Sequence, residues 1–468
     1  MLVFTLVLLY LIIALILVAG LLINGVKPSK TLAWLLAIFT IPVGGILLYI
    51  MLGRNRRKKR LSRLQKDNLK VPTFSRSLAK ETSKTKYRKL MTLIESVSRF
   101  PPTDQNQLTL LEDGKQTFEN ILKALEEAKN YIYLQYYIFE EGELTAKLLT
   151  LFEKKIAEGV EVKLIFDGVG SYSLSRSYIK KLKTAGVEVY PFLPFRFGRF
   201  LSSLNYRNHR KIIVVDGKIA FTGGINISDR YFKGDPELGR WHDMHLAIKG
   251  PAVKFMEYVF ISDWFMVSEK KIDLKVNTDV QFEGNENTSV QIVPSGPDDV
   301  FPNIEQTYLT IINEARDYLY ITNPYIIPTH EILKALQIAS LSGVDVRLLV
   351  SEHSDSQIVD WTVRSYFDAF IKSDIRIFLF PHGFLHSKIL VSDDDVASIG
   401  TANIDVRSFE HNYEVNAMLY DTGIAKTLKE NFIKDCKESK EVMAEDFFNR
   451  PLKNKLKEGL ARIFAPLL

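Results

Sequence analysis

The chain opens on two uncharged apolar runs, from Leu2 to Ile23 and from Thr31 to Leu52. Each exceeds the roughly 20 residues a helix needs to cross a bilayer. Asn24, Gly25, Pro28 and Ser29 supply turn chemistry between them, so the pattern predicts a transmembrane hairpin over 1–53. A cleaved leader is the rival for the first run, but no basic residues precede it and its apolar stretch is too long. Residues 54–106 carry little periodic apolar content and predict a basic juxtamembrane linker. From 107 onward, helical and strand periods alternate. The stretch Ile121 to Phe139 is echoed by Ile311 to Ile326, with Ala128, Lys129, Tyr131 and Tyr133 matched by Ala315, Arg316, Tyr318 and Tyr320. Each copy reads as a helix, a strand, a second helix and a further apolar strand, Val160–Asp167 and Val344–Val350. The fold class expected is α/β, with two pseudo-symmetric α/β/α units at 107–287 and 288–447 forming one body. An amphipathic tail follows at 448–468.

Charge sharpens this division. Residues 1–100 hold 18 Lys/Arg against Asp67, Glu81 and Glu95, a net of +15, while 101–468 hold 43 basic and 52 acidic residues, a net of −9. The cluster Arg54, Arg56, Arg57, Lys58, Lys59 and Arg60 places the body on the cytoplasmic side of the hairpin. A mildly acidic body is a poor fit to a nucleic-acid backbone, whereas the basic N-terminal part suits an anionic membrane surface. A single cysteine, Cys436, excludes an internal disulfide and is expected to be buried.

The chemistry stands near the end of each unit. His209, Lys211 and Asp216 form one His-x-Lys-x-x-x-x-Asp pattern, and His386, Lys388 and Asp393 form another. Asn226 and Asn403 each lie 17 residues after their histidine, behind Gly223-Gly224 and Gly400-Thr401. In an extended strand, residues two apart face the same side, so each His and Lys point at one site. Lysine cations, Asn226 and Asn403 amides and the backbone at Gly224 and Thr401 predict a clamp for the oxygens of a phosphodiester. Two histidines on one phosphorus permit a two-step displacement through a phosphohistidine. No metal is required, and no cofactor is expected. A nucleophilic imidazole is oriented by a carboxylate on its other nitrogen. Reading downstream of each motif, Asp243 is matched to His209 and Glu414 to His386, while His242 and His245 are taken as packing or hydrogen-bonding residues.

The twin motifs resemble the phospholipase D superfamily. Across nearly the whole chain, Asn205 to Lys211, Phe221 to Ile227, Ser295 to Asp298 and Thr322 to Tyr325 resemble bacterial cardiolipin synthases. The resemblance implies a membrane enzyme that joins two phosphatidylglycerols into cardiolipin and releases glycerol, with His209 as nucleophile and His386 as acid. It includes Asp216 and Asp393 in the catalytic pattern, although a structural role suits them better. A lipid hydrolase or a transferase with another alcohol acceptor is the nearest alternative. A nuclease on the same fold is remote, and a non-catalytic membrane scaffold is a further class.

Phe195, Arg196, Phe197, Arg199 and Phe200 interleave aromatic and basic residues just before the first motif, as an interfacial loop would. The tail, with Leu452, Leu456, Leu460, Ile463 and Phe464 among Lys453, Lys455, Lys457 and Arg462, reads either as a basic amphipathic helix on a membrane or as a helix packed on the core.

Overall fold

The computed structural model describes residues 2–23, 28–41, 43–49, 86–194, 206–272 and 288–465. The run Arg54 to Arg60 and the aromatic segment Phe195 to Phe200 lie outside the described residues.

Sixteen of the described strands are joined in one sheet, and fourteen of them fall into two matching sets. In sheet order the first unit contributes Glu188–Phe192, Glu161–Asp167, Tyr131–Tyr136, Ile212–Val215, Ile219–Gly223, His245–Lys249 and Thr103–Leu111. The second unit mirrors it with Arg376–Phe380, Asp345–Ser351, Tyr318–Thr322, Ile389–Ser392, Val396–Gly400, Asn412–Tyr420 and Thr288–Ser295. Thr103–Leu111 and Thr288–Ser295 pair antiparallel, with Thr103 opposite Val290, and join the halves into one sheet. The three outer strands of each unit run parallel. They are buried on both faces and read as near-continuous apolar runs, as in Val346 to Val350.

Helices cover both faces. Val253–Ser268 and Thr422–Lys437 lie on one side, over a core shared by the two units that includes Trp264, Phe260, Tyr413 and Phe432. On the other side each unit has its own core. Gly114–Glu126, Glu143–Ala157 and Arg176–Thr184 cover the first; Asn303–Glu314, His330–Leu341 and Gln357–Ile371 cover the second. The α/β/α expectation is met.

Two expected boundaries move. The linker over 54–106 does not extend past residue 85. Arg88–Ser98 is a helix whose Leu90 and Ile94 are buried in the second unit's core. Thr103–Leu111 is already a central strand of the first unit. The second apolar run is not one helix either. Pro28–Thr40 and Gly44–Leu48 are separate, and Val43 between them has φ 64°. Proline at 42 has no N–H for the carbonyl of Ile38, and that oxygen accepts the Tyr10 hydroxyl at 2.6 Å instead.

The first run is a 22-residue helix, Leu2–Ile23. Ala14, Leu17 and Leu21 pack with Ile38, Ile46 and Tyr49, while Leu15, Ile16 and Leu22 are exposed. Its side chains are described without interruption only over 8–23. Over that stretch, and elsewhere among the described residues, no helix is long and apolar enough to cross a membrane.

Candidate active site

The two motifs meet where the halves exchange strands. Arg207–Asn208, just before His209, pairs parallel with Asn412–Tyr413 of the second unit. Phe384–Leu385, just before His386, pairs parallel with Trp241–His242 of the first. The clasp continues as His209 N donates to Tyr413 O at 2.9 Å and His386 N donates to His242 O at 2.8 Å. Each histidine is therefore locked beside the carboxylate that follows the other unit's strand.

This crossing corrects the pairing expected from sequence. His209 Nδ1 lies 3.0 Å from Glu414 Oε2, and His386 Nδ1 lies 2.8 Å from Asp243 Oδ2. Each carboxylate follows its own unit's motif in the chain, but the strand exchange carries it to the opposite histidine. With Nδ1 engaged, the lone pair of each neutral ring falls on Nε2.

Both lysines are buried, and each returns to its own motif. Lys211 Nζ donates to His209 O at 2.8 Å, and Lys388 Nζ donates to His386 O. Their charges reach across the site. Burial first, then Lys388, Lys211 and His209, hold the His386 imidazole well below its ordinary range. Burial holds His209 down to about 4 against the opposing pull of Glu414. Burial also drives Lys211 well below the usual lysine range and Lys388 to about 8.

The two carboxylates differ. Burial pushes Asp243 up to about 7 despite the lysines. Burial acts on Glu414 in the same sense, but His209, Lys211 and Thr401 overcome it and hold Glu414 below the usual glutamate range. Among the described residues, no three His, Cys, Asp or Glu side chains gather as metal ligands.

The motif pattern and fold match the family described as "Cardiolipin synthase, PLD-like domain" over residues 121–264 and 308–436. The chain belongs to this cardiolipin synthase family. Residues 8–54 match a second family, described as "Phospholipase_D-nuclease N-terminal". Cardiolipin synthase of Geobacillus sp. (strain WCH70) is 38% identical over 94% of this chain and 89% of its own length. Cardiolipin synthase 2 of Bacillus anthracis is 38% identical over 94% and 87%. A crystal structure of phosphatidylserine synthase from Haemophilus influenzae Rd KW20 shares the fold, with a TM-score of 0.58 at 14% identity, covering 81% of this chain and 100% of that one.

Other expected site residues of this family member do different work. Asp216 accepts the backbone N–H groups of Lys129, Asn130 and Tyr131 at 2.7 to 2.8 Å. Asp393 does the same for Arg316, Asp317 and Tyr318 at 3.0 to 3.1 Å. The four-residue strands Ile212–Val215 and Ile389–Ser392 stand between each histidine–lysine pair and its aspartate, which lies at a turn that ties helix to strand. They leave the catalytic set.

Gly224 and Thr401, expected at the phosphate, instead serve the carboxylates. A Cβ at Gly224 would stand 2.1 Å from Asp243 Oδ1, so glycine makes room for that side chain. Thr401 Oγ1 donates to Glu414 Oε2 at 2.5 Å. Asn226 bridges Ile138 N and the Tyr231 hydroxyl, whereas Asn403 Oδ1 is buried with no hydrogen-bond partner among the described residues.

Sequence reasoning missed two participants, and for Arg210, whose difference from Ser387 already allowed unequal half-sites, it missed the partners. The Tyr231 hydroxyl stands 3.3 Å from His386 Nδ1. The Tyr137 ring lies 4.8 Å from the His209 ring and 5.5 Å from Lys211 Nζ. Arg210 makes two 2.7 Å bonds to the buried Asp263 and donates through Nε to Glu414 O at 3.0 Å, fixing the carboxylate's strand. Its counterpart Ser387 makes a single contact, to His242 O at 3.4 Å. That inequality between the motif copies was the available signal for an asymmetric site. His242 Nε2 faces Asp435 at 3.3 Å; buried His245 has no hydrogen-bond partner on either ring nitrogen among the described residues.

Proposed function

We propose that this chain transfers a phosphatidyl group from one phosphatidylglycerol to another through a phosphohistidine on His209, making cardiolipin and glycerol. The observation that carries the reading is the unequal pair of crossed His–carboxylate contacts beside two buried lysines. His209 is neutral above about pH 4 and faces a carboxylate held low, which suits a nucleophile. The His386–Asp243 pair retains a proton until about pH 7, which suits an acid.

In the first step His209 Nε2 attacks phosphorus and the bond to the glycerol oxygen breaks. His386 gives that oxygen a proton. In the second step His386 takes the proton from the terminal hydroxyl of another phosphatidylglycerol, the oxygen attacks phosphorus, and the N–P bond breaks. Lys211 and Lys388 hold the non-bridging oxygens, where charge develops. Burial of both histidines keeps water from competing for the phosphoenzyme. The uncharged run Leu2 to Ile23 and the basic residues after Gly53 support anchoring at an anionic membrane with the body on the cytoplasmic side. The interleaved aromatic and basic composition of Phe195, Arg196, Phe197, Arg199 and Phe200 fits the same lipid surface.

Purified full-length protein given phosphatidylglycerol alone tests this. Cardiolipin and glycerol in equal amounts are expected. Phosphatidic acid as the main product would reject the transferase reading.

A further inference from the structure

The helix Leu452–Arg462 is docked with its amphipathic character reversed. Ala461 and Glu458 face the body and are buried, and Glu458 pairs with Arg450 at 2.6 Å. Lys457 lies 4.8 Å over the Trp361 ring and Arg462 4.6 Å over the Tyr366 ring, both on Gln357–Ile371. The apolar side chains point away. Leu452, Leu456, Leu460, Ile463 and Phe464 are between 50% and 71% exposed. At 3.6 residues per turn they fall within an arc of about 120°.

A helix docked on a water-soluble body turns its apolar stripe inward. This one is held by its polar side and offers leucines outward. Lys453 and Lys457 border the stripe on one side, and Lys455 and Arg462 on the other. Together with Glu458 they give the helix a net charge of +3. A second copy packed face to face would align like charges, whereas an anionic bilayer would receive the leucines and be attracted by the helix's net positive charge.

We propose that the exposed face of Leu452–Phe464 lies in the interface of an anionic bilayer and holds the catalytic body against it. The inference rests on the reading that the enzyme works at an anionic membrane and adds a second contact, remote from the N-terminal run.

The test uses the full chain with Cys436→Ala, carrying an environment-sensitive fluorophore on Leu460→Cys or, as a control, on the exposed Glu119→Cys. Protein is reconstituted in vesicles of equal phosphatidylglycerol and phosphatidylcholine containing doxyl-labelled lipid. The label at 460 is expected to be quenched by the doxyl lipid, more weakly in phosphatidylcholine alone, and the label at 119 to be unaffected. No lipid quenching at 460 overturns the proposal. So does protection at 460 that depends on protein concentration, which would indicate a second copy. Leu456→Glu with Leu460→Glu is expected to lower turnover on vesicle phosphatidylglycerol about tenfold and to leave turnover on a monomeric short-chain analogue unchanged; equal loss on both substrates would also overturn it. Quenching is read independently of which product forms, so failure of the transferase reading remains distinguishable.

Discussion

Replacing Glu414 by glutamine keeps the shape of the side chain and removes the charge on which His209 depends. Glu414 Oε2 accepts from His209 Nδ1 at 3.0 Å and from Thr401 Oγ1 at 2.5 Å, while Oε1 accepts from Asn412 Nδ2 at 3.3 Å. Glutamine has one acceptor oxygen. If that oxygen serves His209 and Thr401, its NH₂ faces the Asn412 amide donor. If it turns, the NH₂ faces the imidazole N–H. Losing a hydrogen bond to a charged group costs about 1.5–3 kcal/mol, which at about 1.4 kcal/mol per decade is a loss of roughly 10–10² in turnover. The crossed pairing makes the result specific to one histidine. Asp243→Asn should damage the His386 side by a similar factor. A phosphatidyl ester with p-nitrophenol as leaving group needs no general acid for release of the nitrophenolate. Formation of the phosphoenzyme, read as a burst of nitrophenolate, should therefore recover to within about tenfold of wild type in Asp243→Asn and stay slow in Glu414→Gln. Recovery in Glu414→Gln with none in Asp243→Asn would refute the pairing and the roles together.

Three further outcomes follow from the same geometry. His209 must be neutral to attack, and burial holds it near 4, while the His386–Asp243 pair keeps its proton up to about 7. kcat/KM should therefore be level between these values and fall on both sides, and a rise through pH 7 would contradict the assignment. Gly224→Ala drives a methyl to 2.1 Å from Asp243 Oδ1 and should cost about 10² in turnover by displacing that carboxylate, seen in steady-state rates of a folded protein. Asp216→Ala removes an acceptor shared by three backbone N–H groups; thermal unfolding should show a loss of about 2–4 kcal/mol, with turnover per folded molecule within about threefold.

The duplicated architecture was legible in the sequence because each half repeats the same periodicities at the same spacing, and the equivalent strands occupy mirrored places in the sheet. His209, Lys211, His386 and Lys388 were legible through their two-residue spacing. The crossed pairing was not, since it depends on the exchange of Arg207–Asn208 and Phe384–Leu385 between the halves. Two-residue strands of this kind leave no periodic signal. Reading Asp243 and Glu414 as local partners assumed that each half completes its own site.

Asp216 and Asp393 illustrate a different limit. They belong to the repeated pattern, yet the strand that follows each His and Lys carries the aspartate away from them to a turn. A repeated spacing shows that a position matters in both copies, without separating chemistry from turn formation. Arg210 against Ser387 was visible as a difference, but its meaning required Asp263, a carboxylate 53 positions away on Val253–Ser268.

The central claim is that one phosphorus passes between a nucleophile from the first half and an acid–base group from the second. Trapping of the phosphoenzyme formed from phosphatidylglycerol by denaturation at alkaline pH, where an N–P bond survives, followed by peptide mapping tests it directly. The account predicts a modified His209, absent in His209→Ala and present in His386→Ala when the leaving group is p-nitrophenol. A phosphoryl group found on His386, or turnover with neither histidine modified, would contradict it.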